Sequence, residues 1–359
     1  MNHPHMTSIQ SGRIKELDTL RGIAALFVVL FHFSLDLPKV NPIFQFGVTG
    51  VDMFFILSGF VIFMTLNKIK TGRQFIISRT ARLYPAYWSC VTLTFILITI
   101  TKIPNNEGIN YFSLREYVAN MSMFQYYFKV RDLDGPYWTM IIEMLFYILM
   151  LACFQFRLLK YITIIMLILM AFTSYFYLSS FESPFVQSIS NAVPLLDFIS
   201  LFFAGILFYK IYISSEKLIL HSVLIVFCLI IQILIFPCSG KSKAFISQGE
   251  YGLMLTIYFT LFTLFVFGRL RLIISPVTLF LGKISFALYL IHQYISIRLL
   301  LPFLTNTMHI PWFISAFGIT LPILIGVATL ITYFIEIPAR RNILRIADLK
   351  KLHGSTGSP

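Results

Sequence analysis

Histidine and carboxylate side chains inside apolar segments are costly and mark candidate chemistry. Five such residues stand in five different apolar runs: His32, Asp52, Glu143, Asp197 and His292. Counted inward from the outer end of each run at about 1.5 Å per residue, His32 lies roughly 8 Å deep, Asp52 roughly 9 Å, Glu143 roughly 10 Å and His292 roughly 14 Å. Asp197 is about level with Asp52. The five therefore share one layer. An imidazole, with an ordinary pKa of about 6.5, suits a general base near neutral pH, taking a proton from an attacking hydroxyl. Glu143 and Asp52 could orient His32 and stabilise its imidazolium, or simply hydrogen-bond a neighbouring helix. His292 reads either as a support for the site or as a core imidazole. Asp36, four residues after His32, shares its face but lies near the interface and reads as solvated.

The cations fall in a second layer. Arg21 opens the first apolar run, Arg79 and Arg82 precede the third, Lys283 sits early in the ninth, and Arg340 and Arg341 follow the last. Arg79 and Arg82 are three apart and can act jointly. Eleven residues separate Arg21 from His32, which is about three helical turns, so the two share a face about 16 Å apart along the axis. A cation at one end of a face and a base at the other suits a long, thin substrate with an anionic head. A coenzyme A thioester has that shape. The same residues also fit the proton relay and anion path of a transporter or flippase, or the imidazole ligands of a haem or quinone protein.

The elements that carry these residues follow from composition. Of 359 residues, 58% are apolar and 12% charged, against about 45–50% and about 25% in soluble domains. A soluble enzyme, a disordered chain and a disulfide-stapled domain are excluded. Ten runs are long enough to span a bilayer: 18–37, 46–66, 83–101, 136–154, 161–179, 191–213, 218–238, 250–268, 277–301 and 312–335. This predicts an all-α, polytopic membrane helix bundle. With the N-terminus inside, cytoplasmic loops hold eighteen Lys and Arg against seven outside, which places both termini in the cytoplasm. The net charge of +13 is thus mostly topological, and no nucleic-acid partner is needed. Residues 1–16 read as a cytoplasmic segment, 17–347 as the membrane domain and 348–359 as a disordered tail. Run 117–128 is too short to span and is expected at the interface. Cys90, Cys153, Cys228 and Cys238 show no metal-ligand spacing, so no metal is expected.

Six segments together resemble the acyltransferase-3 family of integral membrane O-acyltransferases. They are Leu17-Asp18-Thr19-Leu20-Arg21-Gly22 with His32; Gly50-Val51-Asp52 through Ser58-Gly59-Phe60; Arg79-Thr80-Ala81-Arg82-Leu83-Tyr84-Pro85; Tyr137-Trp138-Thr139 with Glu143, Phe146 and Tyr147; Gly282-Lys283-Ile284-Ser285 with Tyr289 and His292; and Glu336-Ile337-Pro338-Ala339-Arg340. The resemblance spans residues 17–340. It implies a ten-helix bundle of the bacterial inner membrane. Such a bundle moves an acyl group, usually acetyl, from cytoplasmic acyl-CoA to hydroxyls of surface polysaccharide, lipopolysaccharide or a lipid-linked glycan. His32 is then the catalytic base with Glu143 and Asp52 beside it. Arg21, Arg82 and Arg79 hold the phosphates of acetyl-CoA. Trp138, Tyr147 and His292 line the site, although Trp138 and Tyr147 also read as interfacial anchors. Glu336 and Arg340 are expected to form a structural ion pair. No appended SGNH hydrolase-like domain is expected.

Overall fold

In a bilayer, apolar runs must satisfy their backbone groups internally, and this chain does so with helices. The computed structural model describes residues 14–35, 44–105, 108–180, 183–238 and 242–354, and every regular element among them is helical. Asp36, the first thirteen residues and the last five lie outside the described residues. The elements are α1 (Lys15–Phe33), α2 (Gly50–Leu66), α3 (Gly72–Thr101), α4 (Leu114–Met121), α5 (Trp138–Gln155), α6 (Ile162–Ser180), α7 (Pro184–Ala192), α8 (Ile199–Ile213), α9 (Leu218–Ile235), α10 (Gln248–Val266), α11 (Pro276–Gln293), α12 (Leu321–Leu330) and α13 (Ile337–Gly354). Wider, π-type helical backbone joins α12 to α13 and extends α11 toward Thr307.

Nine helices among the described residues are long and apolar enough to cross a membrane. The tenth run of the sequence is α1. It is as long as several of the others, but Lys15, Glu16, Asp18 and Arg21 crowd its first two turns. It is nonetheless built into the bundle, packed along α11 and against α2. Lys15, Lys70, Arg73, Arg157, Lys160, Lys210 and Lys217 gather where α1, α3 and α6 begin and α2, α5 and α8 end. This is the basic end of the bundle.

Two boundaries correct the sequence reading. α3 begins at Gly72, capped by Thr71 with Gln74 in a reciprocal box, so Arg79 and Arg82 lie inside the helix and do not precede it. Hydrogen bonding continues past the end of an apolar run, because the arginines are good helix formers. Ile314–Ala347 is likewise one continuous helical stretch, which puts Glu336 and Arg340 within it.

Two seams set the geometry. α1 and α11 run side by side in the same direction. A Cβ on Gly22 would come within 2.5 Å of the Gly282 backbone nitrogen, and one on Gly282 within 2.2 Å of the Asp18 carbonyl. Glycine is required at both by close backbone approach. Along α1 the seam reads Gly22, Ala25, Val29, His32; along α11 it reads Gly282, Ser285, Tyr289, His292. Both follow the alternating three- and four-residue step of a packed helical pair. Each histidine stands ten residues beyond its glycine, so closing the glycines together brings the imidazoles together.

The second seam joins α2 to α8. A Cβ at Gly59 would fall 2.1 Å from the Phe202 carbonyl oxygen, and one at Gly205 2.1 Å from that of Ile56. Gly59→Ala should therefore force the helices apart at a cost of about 1–3 kcal/mol, read as a lower melting temperature in detergent. Gly326 has nothing within 4 Å of a built Cβ, and Gly326→Ala should not lower the melt and should raise it slightly, since alanine is the better helix former.

Candidate active site

At the end of the bundle opposite the basic one, α1, α2, α5 and α11 enclose a cavity of about 240 Å³. His32, Asp52, Trp138, Tyr289 and His292 line it, with Asn105, Asp132 and Gln293 from the loops and helix ends around it. Four of the residues singled out in the sequence thus meet here: His32, Asp52, Trp138 and His292. Asp134 stands beside the cavity and ties the approach to α5 onto the helical stretch that continues α11. Its carboxylate accepts from the Gly135 N–H at 2.8 Å and the Tyr294 N–H at 3.2 Å, while burial pushes its pKa up to about 7.

The two imidazoles face each other with ring centroids 4.6 Å apart. His292 Nδ1 lies 2.6 Å from the Tyr289 carbonyl oxygen. A carbonyl only accepts, so this nitrogen carries the proton and His292 Nε2 is bare. That bare nitrogen is 3.2 Å from His32 Nδ1, which also lies 2.9 Å from the Val28 carbonyl. Both of its neighbours accept, so His32 Nδ1 carries the proton and His32 Nε2 is left as the free lone pair. The hydrogen-bond network assigns the tautomers of both rings.

The carboxylates are placed differently from the expectation. Asp52 lines the cavity, but its oxygen accepts from Tyr251 at 3.1 Å on α10. Glu143 accepts from the Tyr147 hydroxyl and from Ser58 at 3.2 Å. The ring-nitrogen partner of His32 is an imidazole, and neither carboxylate is its hydrogen-bond partner. Thr139, Glu143 and Tyr147 are spaced four apart on α5 and form one polar stripe. Thr139 meets the Tyr289 hydroxyl at 3.0 Å, one turn from the cavity. Glu143 lies a turn deeper, and Tyr147 a further turn deeper.

Below Tyr147 is the arginine layer. Arg21, Arg79 and Arg340 all lie close enough to Arg82 to repel it, so four guanidinium groups from three segments converge. Arg82 is paired with Glu336, and Arg21 with Asp18 at 3.4 Å. The expected Glu336–Arg340 pair is thus replaced by Glu336–Arg82. The second Glu336 oxygen is buried without a hydrogen-bond partner among the described residues. Asp197 joins neither layer; it accepts from Tyr177 and from Ser190 at 3.2 Å.

Sequence reasoning missed Tyr251, Asp132 and Asn105. Tyr251 lies 199 residues from Asp52 with no motif around it, and the other two sit in loops. Tyr289 had a signal, being three residues before His292 on the same face. Among the described residues, no group of three or more His, Cys, Asp or Glu side chains is placed to hold a metal ion.

A family model described as an acyltransferase domain matches residues 14–332. The chain belongs to the acyltransferase-3 family. Two of three similar proteins carry acetyltransferase names. The "Putative acetyltransferase ORF330" of Acidianus two-tailed virus is 22% identical over 304 residues, 80% of this chain and 84% of the viral protein. The "O-acetyl transferase" of Shigella phage Sf6 is 28% identical over 146 residues, 37% of this chain and 43% of the phage protein. "Nodulation protein 10" of Rhizobium leguminosarum bv. viciae is 24% identical over 159 residues, 38% and 43% of the two chains. No solved structure matches. This acyltransferase is a multi-pass membrane enzyme that transfers acyl groups, and both layers lie on helices within or bordering the matched region.

Proposed function

We propose that this acyltransferase is an O-acetyltransferase of the bacterial inner membrane. It takes acetyl from acetyl-CoA at the basic, cytoplasmic end and delivers it to a hydroxyl of a surface glycan at the cavity end. The glycan is an O-antigen, capsule, exopolysaccharide or lipid-linked precursor. The observation that carries this reading is the bare His32 Nε2 in the outer cavity, on the same helix face as Arg21. The diphosphate sits among Arg21, Arg79 and Arg82, and the pantetheine arm follows the polar stripe of α5 past Tyr147 and Glu143. His32 Nε2 takes the acceptor hydroxyl proton as that oxygen attacks the thioester carbonyl. The carbon–sulfur bond breaks, and the departing thiolate takes the proton back from His32. The bare Nε2 of His292 accepts the Nδ1 proton of His32 throughout and stabilises the imidazolium, a task a carboxylate performs in other triads. Asp52 and Trp138 shape the acceptor cavity.

The reading is tested with purified protein in lipid discs, radiolabelled acetyl-CoA and surface glycan from cells lacking the protein. Mass spectrometry should find one acetyl group added per modified sugar. Glycan that gains no label would overturn the proposal.

Arg82 gives a separate prediction. Removing it alone leaves the buried Glu336 carboxylate unpaired and risks the fold, so the informative variants act on the pair. Glu336→Gln frees Arg82 for phosphate and should lower KM for acetyl-CoA about fivefold, equivalent to about 1 kcal/mol. Arg82→Ala with Glu336→Gln should raise it at least about tenfold, as expected for loss of a charged hydrogen bond. An unchanged KM in the double variant would remove Arg82 from the donor site.

A further inference from the structure

The ends of α3 and α5 leave an open groove of about 590 Å³ at the basic end. Lys70, Thr71, Arg73, Gln155 and Arg157 line it, and no carboxylate among the described residues does. None of the three cations enters an ion pair among the described residues. The N-terminus of α3 is already satisfied by its own capping box, Thr71 with Gln74, so the groove's attraction comes from side-chain charge. Arg157 holds a left-handed backbone conformation, φ +58°, just past the end of α5, where glycine is the favoured residue. Arginine occupies that position at a cost in stability. Two guanidinium forks and an ammonium around an open hollow suit a doubly charged phosphate monoester.

The groove lies on the donor's helices. Arg73 and Arg82 are nine residues apart on α3, roughly 13 Å along its axis, and Gln155, at the groove, is eight residues beyond Tyr147 on α5, roughly 12 Å along its axis. Coenzyme A carries anionic charge in two places: the diphosphate that leads into the pantetheine arm, and the 3′-phosphate on the ribose. We propose that the groove of Lys70, Arg73 and Arg157 binds the ribose 3′-phosphate of the donor while the buried arginine layer holds the diphosphate. This rests on acetyl-CoA being the donor. The groove would then distinguish coenzyme A from donors that lack the 3′-phosphate.

The test compares acetyl-CoA with 3′-dephospho-acetyl-CoA in detergent without added lipid. For the wild type, KM should be about tenfold higher with the dephospho donor, as expected for loss of charge-assisted contacts. In Lys70→Gln/Arg157→Gln the ratio should fall to near one, because KM rises for acetyl-CoA only. Arg157→Gly should lower the ratio as well while raising the melting temperature by a few degrees, since glycine relieves the left-handed conformation. A ratio that stays tenfold in these variants would overturn the groove assignment and leave acetyl-CoA as donor. The groove assignment fails equally if the variants lose activity only after anionic phosphatidylglycerol is added, which would assign the cations to a lipid phosphate. Wild-type protein that transfers from neither donor would overturn the donor reading itself.

Discussion

Replacing His32 with alanine is expected to lower kcat for acetyl transfer by about 10²–10⁴-fold, the usual contribution of a positioned acid–base group. The protein should still insert and melt as the wild type does, because His32 is partly exposed to the cavity and its loss opens space that water can fill. Alanine also removes the donor to His292 Nε2, so His32→Gln is the sharper variant. Its amide N–H₂ can keep the bond to His292, yet it has no lone pair of useful basicity. Equal losses in the two variants, with KM for acetyl-CoA unchanged, would fix the deficit on the missing base. Wild-type turnover in either one would remove His32 from the chemistry.

His292 should have the second-largest effect. In the proposed mechanism it touches no reacting atom and, together with the Val28 carbonyl, holds the Nδ1 proton of His32, which keeps Nε2 free. His292→Leu removes one of the two acceptors of the His32 Nδ1 proton and leaves the Val28 carbonyl. The imidazolium then loses its imidazole partner, and kcat should fall about 10²-fold, within the range for acid–base groups. His292→Gln offers a carbonyl to His32 Nδ1 and an amide N–H to the Tyr289 carbonyl, and should restore most of the rate. A purely structural role predicts equal damage from both, tracked by the melting temperature. Rescue by glutamine at an unchanged melt is the signature of positioning, and a kcat for His292→Leu equal to the wild type would sink it.

The bundle was readable because a membrane dictates composition: apolar runs of spanning length need no long-range information. Boundaries were less readable where polar residues continue a helix beyond the apolar run, as Arg73, Arg79 and Arg82 do in α3. Depth placed His32, Asp52, Glu143 and His292 in a layer, but depth carries no rotation about the helix axis. It could not show that Glu143 faces Tyr147 and Ser58 while His292 faces His32. The histidine pair did leave a trace, since Gly22 and His32 have the same interval as Gly282 and His292. Reading it required knowing that α1 and α11 are neighbours. The Arg82–Glu336 pair joins residues 254 positions apart and had no local signal.

The glycine contacts between α1 and α11 have a mechanical meaning. Where backbones touch backbones, one helix cannot slide along the other without a collision. Arg21 and His32 lie on one helix, about 16 Å apart along its axis, and the seam locks that helix in place against His292. In the proposed function this helix is a fixed gauge, and the moving part is the flexible arm of the donor. A thioester whose arm is shorter than the gauge can be held by its charged head or presented to the imidazole, but not both at once.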